Sequence, residues 1–208
     1  MKNYTKLVVF ISGGGSNFIS IHQSIIRKEI LGSIELVVSN KAECRGIMYA
    51  KEHNLPTKII NETMYDKYEK YELDLLKILN NTQVDLILLA GYLKKVPKLI
   101  IKQYEKKILN IHPSLLPKFG GKGYFGMNVH KEVIKSKEEF SGASIHFVSD
   151  KYDEGPIVFQ KKIKIQPNQT PEDLAKKILA IEHEIYPFVV KSFCANKIKW
   201  IDNKPIII

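Results

Sequence analysis

The chain has 208 residues, 44% of them apolar and 26% charged, and a formal net charge of +10. That length supports one well-buried core, a single domain with a small subdomain, and the composition is ordinary for a soluble globular protein. No apolar run is long enough to cross a bilayer and no secretory layout opens the chain, so the expectation is a cytoplasmic protein with no membrane partner. The positive charge is nearly all lysine, arginine standing only at Arg27 and Arg45. The lysines are spread along the chain with no RNA-binding aromatic motif among them. They read as compositional drift, with some benefit for anionic substrates, and not as a nucleic-acid surface. Cys44 and Cys194 lack metal-site spacing and read as buried or incidental.

In chain order, Lys6 to Ser12 is a β-rich apolar run. It leads into Gly13-Gly14-Gly15-Ser16-Asn17 and a helical pattern from Phe18 to about Glu29. Strand, glycine loop and helix make an anion cradle, because glycine lets backbone N–H groups approach a ligand and the helix N-terminus adds partial positive charge. No Gly-Lys-Ser/Thr follows, and Phe18 stands where a dinucleotide fingerprint needs its third glycine, so the loop suits a phosphate monoester. A tight turn with no ligand is the alternative, but three consecutive glycines exceed what a turn requires.

A strand at Ile34–Ser39, a helix around Cys44–His53, a short strand after Pro56 and an amphipathic helix over Thr63–Leu79 follow. Val84–Ala90 is apolar throughout, as a strand buried on both faces should be, and Gly91 ends it. A short helix from Pro97 leads to the strand Ile108–His112. Strands alternating with helices predict right-handed βαβ units and a mostly parallel sheet. The second half reads differently, with an antiparallel pair at Ala143–Val148 and Ile157–Gln166. A helix runs from the Thr170 N-cap and Pro171 to about Ala195, and a last strand covers Lys197–Ile201.

The chemistry centres on Asn110-Ile111-His112-Pro113. Alternation along a strand puts Asn110 and His112 on one face, and Pro113 keeps His112 extended. An amide and an imidazole side by side can donate to a developing oxyanion and shuttle a proton. The histidine needs an acid, and Asp150, Asp153 and Glu154, in the loop after the strand ending near Val148, are equal candidates. His146 reads as a hydrogen-bonded core or wall residue and His183 as a packing residue; His22, His53 and His130 carry little signal. With no His-x-x-x-His or Cys-x-x-Cys pair, no metal is expected.

The Ser-Gly-Gly-Gly-Ser-Asn loop, Leu89-Ala90-Gly91-Tyr92, Asn110-Ile-His112-Pro-Ser-Leu-Leu-Pro117, Ser144-Ile-His-Phe-Val148, Asp150-x-x-Asp153-x-Gly155-Pro156 and Glu182-His183-x-Ile-Tyr186-Pro187 occur here in order. From about residue 6 to residue 201 the chain resembles the phosphoribosylglycinamide formyltransferases. The resemblance implies a Rossmann-like, mostly parallel twisted sheet with an antiparallel C-terminal extension, in one formyltransferase domain over residues 1–208. A nucleotide-binding half would cover about 1–112 and a folate half about 113–208. It implies formyl transfer from 10-formyltetrahydrofolate, as co-substrate and without a metal, to the amine of glycinamide ribonucleotide, by a monomer or homodimer. Asn110, His112 and Asp153 match the catalytic trio, which singles out Asp153 among the three acids. Asp153 is then expected to hold His112 as imidazolium. Gly15, Ser16 and Asn17 match the phosphate site and Glu182 the acid that holds the glycinamide amine. Leu93, Lys94, Lys95, Val96, Asn110, Ser149 and Asp150 match the folate contacts. Three features depart from the family: a longer Phe119–Val129 segment, the Lys94-Lys95 pair, and Tyr68 near a position where some relatives carry arginine. Methionyl-tRNA formyltransferase and formyltetrahydrofolate deformylase share the Asn-x-His…Asp core; each is expected to carry an additional domain.

Overall fold

The computed structural model describes residues 4–208, and these divide into two compact units, one ending at Leu109 and the other covering 110–208. The division falls inside a strand, three residues before the boundary expected after His112.

In the first unit, β1 (Thr5–Ile11), β2 (Gly32–Ser39), β3 (Thr57–Ile59) and β4 (Leu86–Leu89) pair in the order β3-β2-β1-β4, all parallel. Leu7 to Ile11 and Leu86 to Leu88 are at most 1% exposed, the burial expected of parallel strands covered on both faces. The covering helices are α1 (Ser16–Ile26), α2 (Arg45–Glu52), α3 (Tyr68–Thr82) and α4 (Lys98–Gln103). Because the four strands run one way, the segments leaving them emerge at one edge: Ser12–Gly15, Asn40, Asn61 and Gly91–Val96. The strand order reverses between β1 and β4, and ligands of open α/β sheets bind beside the carboxyl ends of strands at such a switch point.

The expected helix over Thr63–Leu79 is displaced. A 3₁₀ turn at Glu62–Met64, capped by the Asn61 side chain, comes first, Tyr65 is extended, and α3 starts only at Tyr68. The Tyr65 ring packs against Tyr71 and its hydroxyl donates to Asp74, contacts that a continuous helix through Tyr65 would forbid.

The strand β5 (Ile108–His112) ends the first unit and opens the second, and β6 (Phe140–Phe147) and β7 (Ile157–Lys164) follow it in the seven-stranded order. β6 and β7 pair antiparallel, with an irregularity between Ile145 and His146. The helix α6 (Pro171–Cys194) starts as expected, Thr170 Oγ1 accepting from the Asp173 N–H at 3.1 Å. It buries Leu174, Ile178, Ile185 and Val189 along one stripe.

Two elements lie outside the sequence expectations. The helix α5 (Met127–Lys135) takes up the end of the long Phe119–Val129 segment, burying Val129, His130 and Val133. Its apolar stripe is too short to stand out as a period. The other is β9 (Lys204–Ile207), which pairs with β8 (Ile198–Ile201), the expected last strand, in a separate hairpin. Its turn, Asp202-Asn203, has both φ angles positive, the primed geometry that matches strand twist.

Candidate active site

The second unit gathers Asn110, His112 and Asp153. β5 presents Asn110 and His112 on one face, and His112 is only 4% exposed. Asp153 arrives from the loop after β6 with a left-handed φ of 55°. That loop turns back at Gly155, where a Cβ would sit 1.8 Å from the Phe147 carbonyl oxygen, so no other residue fits. One Asp153 oxygen lies 3.5 Å from His112 Nδ1 and accepts from the Gly121 N–H at 2.9 Å. The other accepts from Asn110 Nδ2 at 3.3 Å. Asp150 and Glu154 are exposed, and Glu154 pairs instead with Lys151 at 3.2 Å.

His146 belongs to the same cluster. It is buried and hydrogen-bonded, as a wall residue should be, but its partners are site residues. Nδ1 lies 3.0 Å from the Phe147 carbonyl oxygen, which only accepts, so Nδ1 carries hydrogen. Nε2 then accepts from Asn110 Nδ2 at 3.1 Å. This fixes the Asn110 amide with its nitrogen toward His146 and Asp153. The two acceptor atoms are 3.6 Å apart, close enough to share one amide hydrogen and leave the second for another partner. The signal available in sequence was the strand face His146 shares with Ser144; the irregularity beside it, which sets its aim, carries none.

His112 Nε2 donates to the Phe119 carbonyl at 2.7 Å. The turn between β5 and Phe119 is tied down by a fully used hydroxyl. Ser144 Oγ donates to the Ser114 carbonyl at 2.6 Å and accepts from the Leu116 N–H at 3.0 Å and from Gln160 Nε2 at 2.7 Å. Ser114 Oγ in turn donates to the Lys118 carbonyl at 2.7 Å. The start of the long segment is thus part of the site through two backbone groups, Phe119 C=O and Gly121 N–H.

The expected imidazolium is corrected. Burial pushes the His112 pKa down. Asp153 and the Phe119 carbonyl push it up, His146 pushes it down again, and the outcome lies below the ordinary 6.5. An acceptor at 3.5 Å makes too long a contact to offset desolvation, so the free protein holds His112 neutral at neutral pH. Burial likewise raises the Asp153 pKa. His146, His112 and the Gly121 N–H outweigh it, and the carboxyl lies below 3.8. His130, 5% exposed, is lowered by burial and then by His112.

In the first unit the glycines divide by role. Gly15 has φ +69° at the N-cap of α1, and a Cβ there would lie 3.0 Å from Gly46 Cα, so fold and packing both require it. Gly13 and Gly14 would have nothing within 4 Å of an added Cβ. Asn17 is buried, and Ser16 is half-buried. Leu93 and Lys95 are exposed, Lys94 is half-buried, and Val96 is 4% exposed. In the second unit Glu182 is 8% exposed on α6, Ser149 Oγ bonds the Lys151 carbonyl at 3.2 Å, and Asp150 takes no part in the Asp153 cluster.

A family model described as formyl transferase matches residues 5–190. The chloroplastic phosphoribosylglycinamide formyltransferase of Vigna unguiculata is 45% identical over 203 residues, 97% of this chain and 65% of its own length. The Escherichia coli K12 phosphoribosylglycinamide formyltransferase is 32% identical over 197 residues, 95% of this chain and 91% of its own. The crystal structure of glycinamide ribonucleotide transformylase 1 from Symbiobacterium toebii matches with a TM-score of 0.91 at 30% identity, covering 99% of this chain and 94% of that one. On fold and sequence together, the chain belongs to the formyl transferase family, among its phosphoribosylglycinamide formyltransferases.

Proposed function

We propose that the protein transfers the formyl group of 10-formyltetrahydrofolate to the amine of glycinamide ribonucleotide, and that Asn110, His112 and Asp153 carry the reaction. The carrying observation is the closed cluster of amide, imidazole and carboxylate in the second unit. The amine nitrogen attacks the formyl carbon, and the C=O electrons move onto oxygen. The spare Asn110 hydrogen donates to that oxyanion. His112 starts neutral and takes the proton that the attacking amine loses; Asp153 and the Phe119 carbonyl then stabilise the imidazolium they face. The bond from carbon to folate N10 breaks as His112 passes that proton on to N10 and returns to its neutral form, which leaves tetrahydrofolate and the formylated ribonucleotide.

The first unit contributes Gly15, Ser16 and Asn17 to the ribonucleotide phosphate, supported by the α1 N-terminus and by the open flank of Gly13 and Gly14. It also contributes the backbone of Leu93, Lys94, Lys95 and Val96 to the folate. The second contributes Glu182 to the glycinamide amine and Ser149 and Asp150 to the folate. No helix among the described residues is long and apolar enough to cross a membrane. The compartment we propose is the cytoplasm, supported by cysteines, Cys44 and Cys194, that are not joined in a disulfide. The Vigna relative is named chloroplastic.

The test mixes pure protein with 10-formyltetrahydrofolate, with and without glycinamide ribonucleotide, and follows folate absorbance. Turnover that requires the ribonucleotide is expected. Equal turnover without it would make the protein a deformylase.

A further inference from the structure

We propose that Ser12 is a positioning residue that sets the folate-contacting loop from the end of the phosphate loop. The inference rests on the substrate assignments proposed above. Ser12 directly follows β1, directly precedes Gly13 and is 1% exposed. Its hydroxyl accepts from the Leu93 N–H at 2.9 Å. Its single proton therefore goes to Asn40 Oδ1, at 2.6 Å.

The connection continues and closes on itself. The Asn40 carbonyl accepts from Asn61 Nδ2 at 3.3 Å, and Asn61 caps the 3₁₀ turn through the Thr63 N–H. Glu62, in that turn, takes Lys94 Nζ at 2.8 Å, one residue beyond Leu93. The ring runs Ser12, Asn40, Asn61, Glu62, Lys94, Leu93 and back to Ser12, all within the first unit. It links the exits of β1, β2, β3 and β4, the edge where a parallel sheet binds its ligands.

The ring acts on a segment that needs it. Residues 91–97 form no helix or strand, and Gly91 turns the chain with φ +75°. Backbone contacts to a ligand require the peptide planes of such a loop to be held before binding, or the ligand's affinity is spent on ordering them. Ser12 holds the loop at a buried point and Glu62 holds it at an exposed one. The hydroxyl that orients the folate loop thus sits three residues from Gly15, the first residue proposed to receive the phosphate. Lys94, which departs from the family pattern, here serves as the far anchor of the ring.

Steady-state kinetics of S12A and E62A, with each substrate varied in turn, test this. S12A leaves the Leu93 N–H, in a part-buried bond, without its acceptor. The expected result is a rise of about tenfold in KM for 10-formyltetrahydrofolate, with kcat and the ribonucleotide KM within about twofold of wild type. E62A, at an exposed position that cannot threaten folding, is expected to raise the same KM about two- to threefold. S12T, which keeps the hydroxyl, is expected to restore most of the S12A loss. An unchanged folate KM in S12A overturns the inference. So does a parallel rise in both KM values with a fall in kcat, the pattern of general damage; if S12A does not fold, an unchanged folate KM in E62A overturns it alone. Absence of ribonucleotide-dependent turnover in the unaltered protein is a separate result that removes the proposed function, and this inference with it.

Discussion

The imidazole of His112 sits where three influences of different range meet. Desolvation acts on the whole ring, the Phe119 carbonyl acts on Nε2 at 2.7 Å, and the Asp153 carboxylate acts on Nδ1 at 3.5 Å. The first wins in the free protein, and a growing negative charge on substrate reverses the order by favouring the charged ring. Two substitutions separate these contributions. H112A removes the proton acceptor, and D153N keeps the shape while removing the charge that faces it. Each is expected to lower kcat by about 10²–10³, the equivalent of about 2.7–4 kcal/mol of barrier. Circular dichroism and melting should show that both variants remain folded. Near-normal turnover by either variant would remove that residue from the mechanism. Asp153 could be chosen over Asp150 and Glu154 only by resemblance, because three acids within five residues are indistinguishable by periodicity. In the fold they differ by the Gly155 turn, which sends one inward and leaves the others in solvent.

At the scale of elements, β1, β2 and β4 were legible because each carries a short apolar run ended by glycine, asparagine or serine, and β3 because it follows Pro56. Ile108–His112 was bounded correctly to the residue. Helix α6 was legible because its first turn carries every start signal at once: a threonine cap, Pro171, and the acids Glu172 and Asp173 near the dipole's positive end. T170A is expected to cost about 1 kcal/mol, read as a lowered midpoint in urea with unchanged slope. No change would mean that tertiary packing alone fixes that helix end. What stayed hidden had tertiary causes. The late start of α3 depends on Tyr65 reaching Tyr71 and Asp74. The hairpin turn at Asp202-Asn203 lacks the glycine that usually announces one. Phe119 C=O and Gly121 N–H act as backbone groups, so no side-chain pattern points to them.

For the whole molecule, the folded state holds four histidines below their ordinary pKa. In His22, His112, His130 and His183 the leading cause is burial; neighbouring rings add to it in His22, His112 and His130. A histidine depressed in the fold but ordinary when unfolded contributes stability that is present above pH 6.5 and is lost as pH falls through the folded values. Asp153 acts in the same direction further down, below about pH 3.8. Melting temperature is therefore expected to hold between pH 7 and 8 and to fall steadily below pH 6.5. A flat profile from pH 7.5 to 5 would contradict the burial of these rings. The net charge of +10 deepens the loss, since each added proton joins an already positive chain.

Gly13 and Gly14 carry one more consequence. Neither has a neighbour that an added Cβ would strike, and neither adopts a positive φ. A methyl at position 14 should therefore reduce the freedom of the unfolded chain and make the protein more stable, by about 0.4–1 kcal/mol. The same methyl would stand where a phosphate is proposed to rest. G14A is expected to melt higher than the parent while needing more ribonucleotide to reach half its maximal rate. If the ribonucleotide requirement did not rise, the loop would be a turn and nothing more. A higher melting point together with a higher ribonucleotide requirement would measure how much robustness this chain forgoes to keep a surface bare for its substrate.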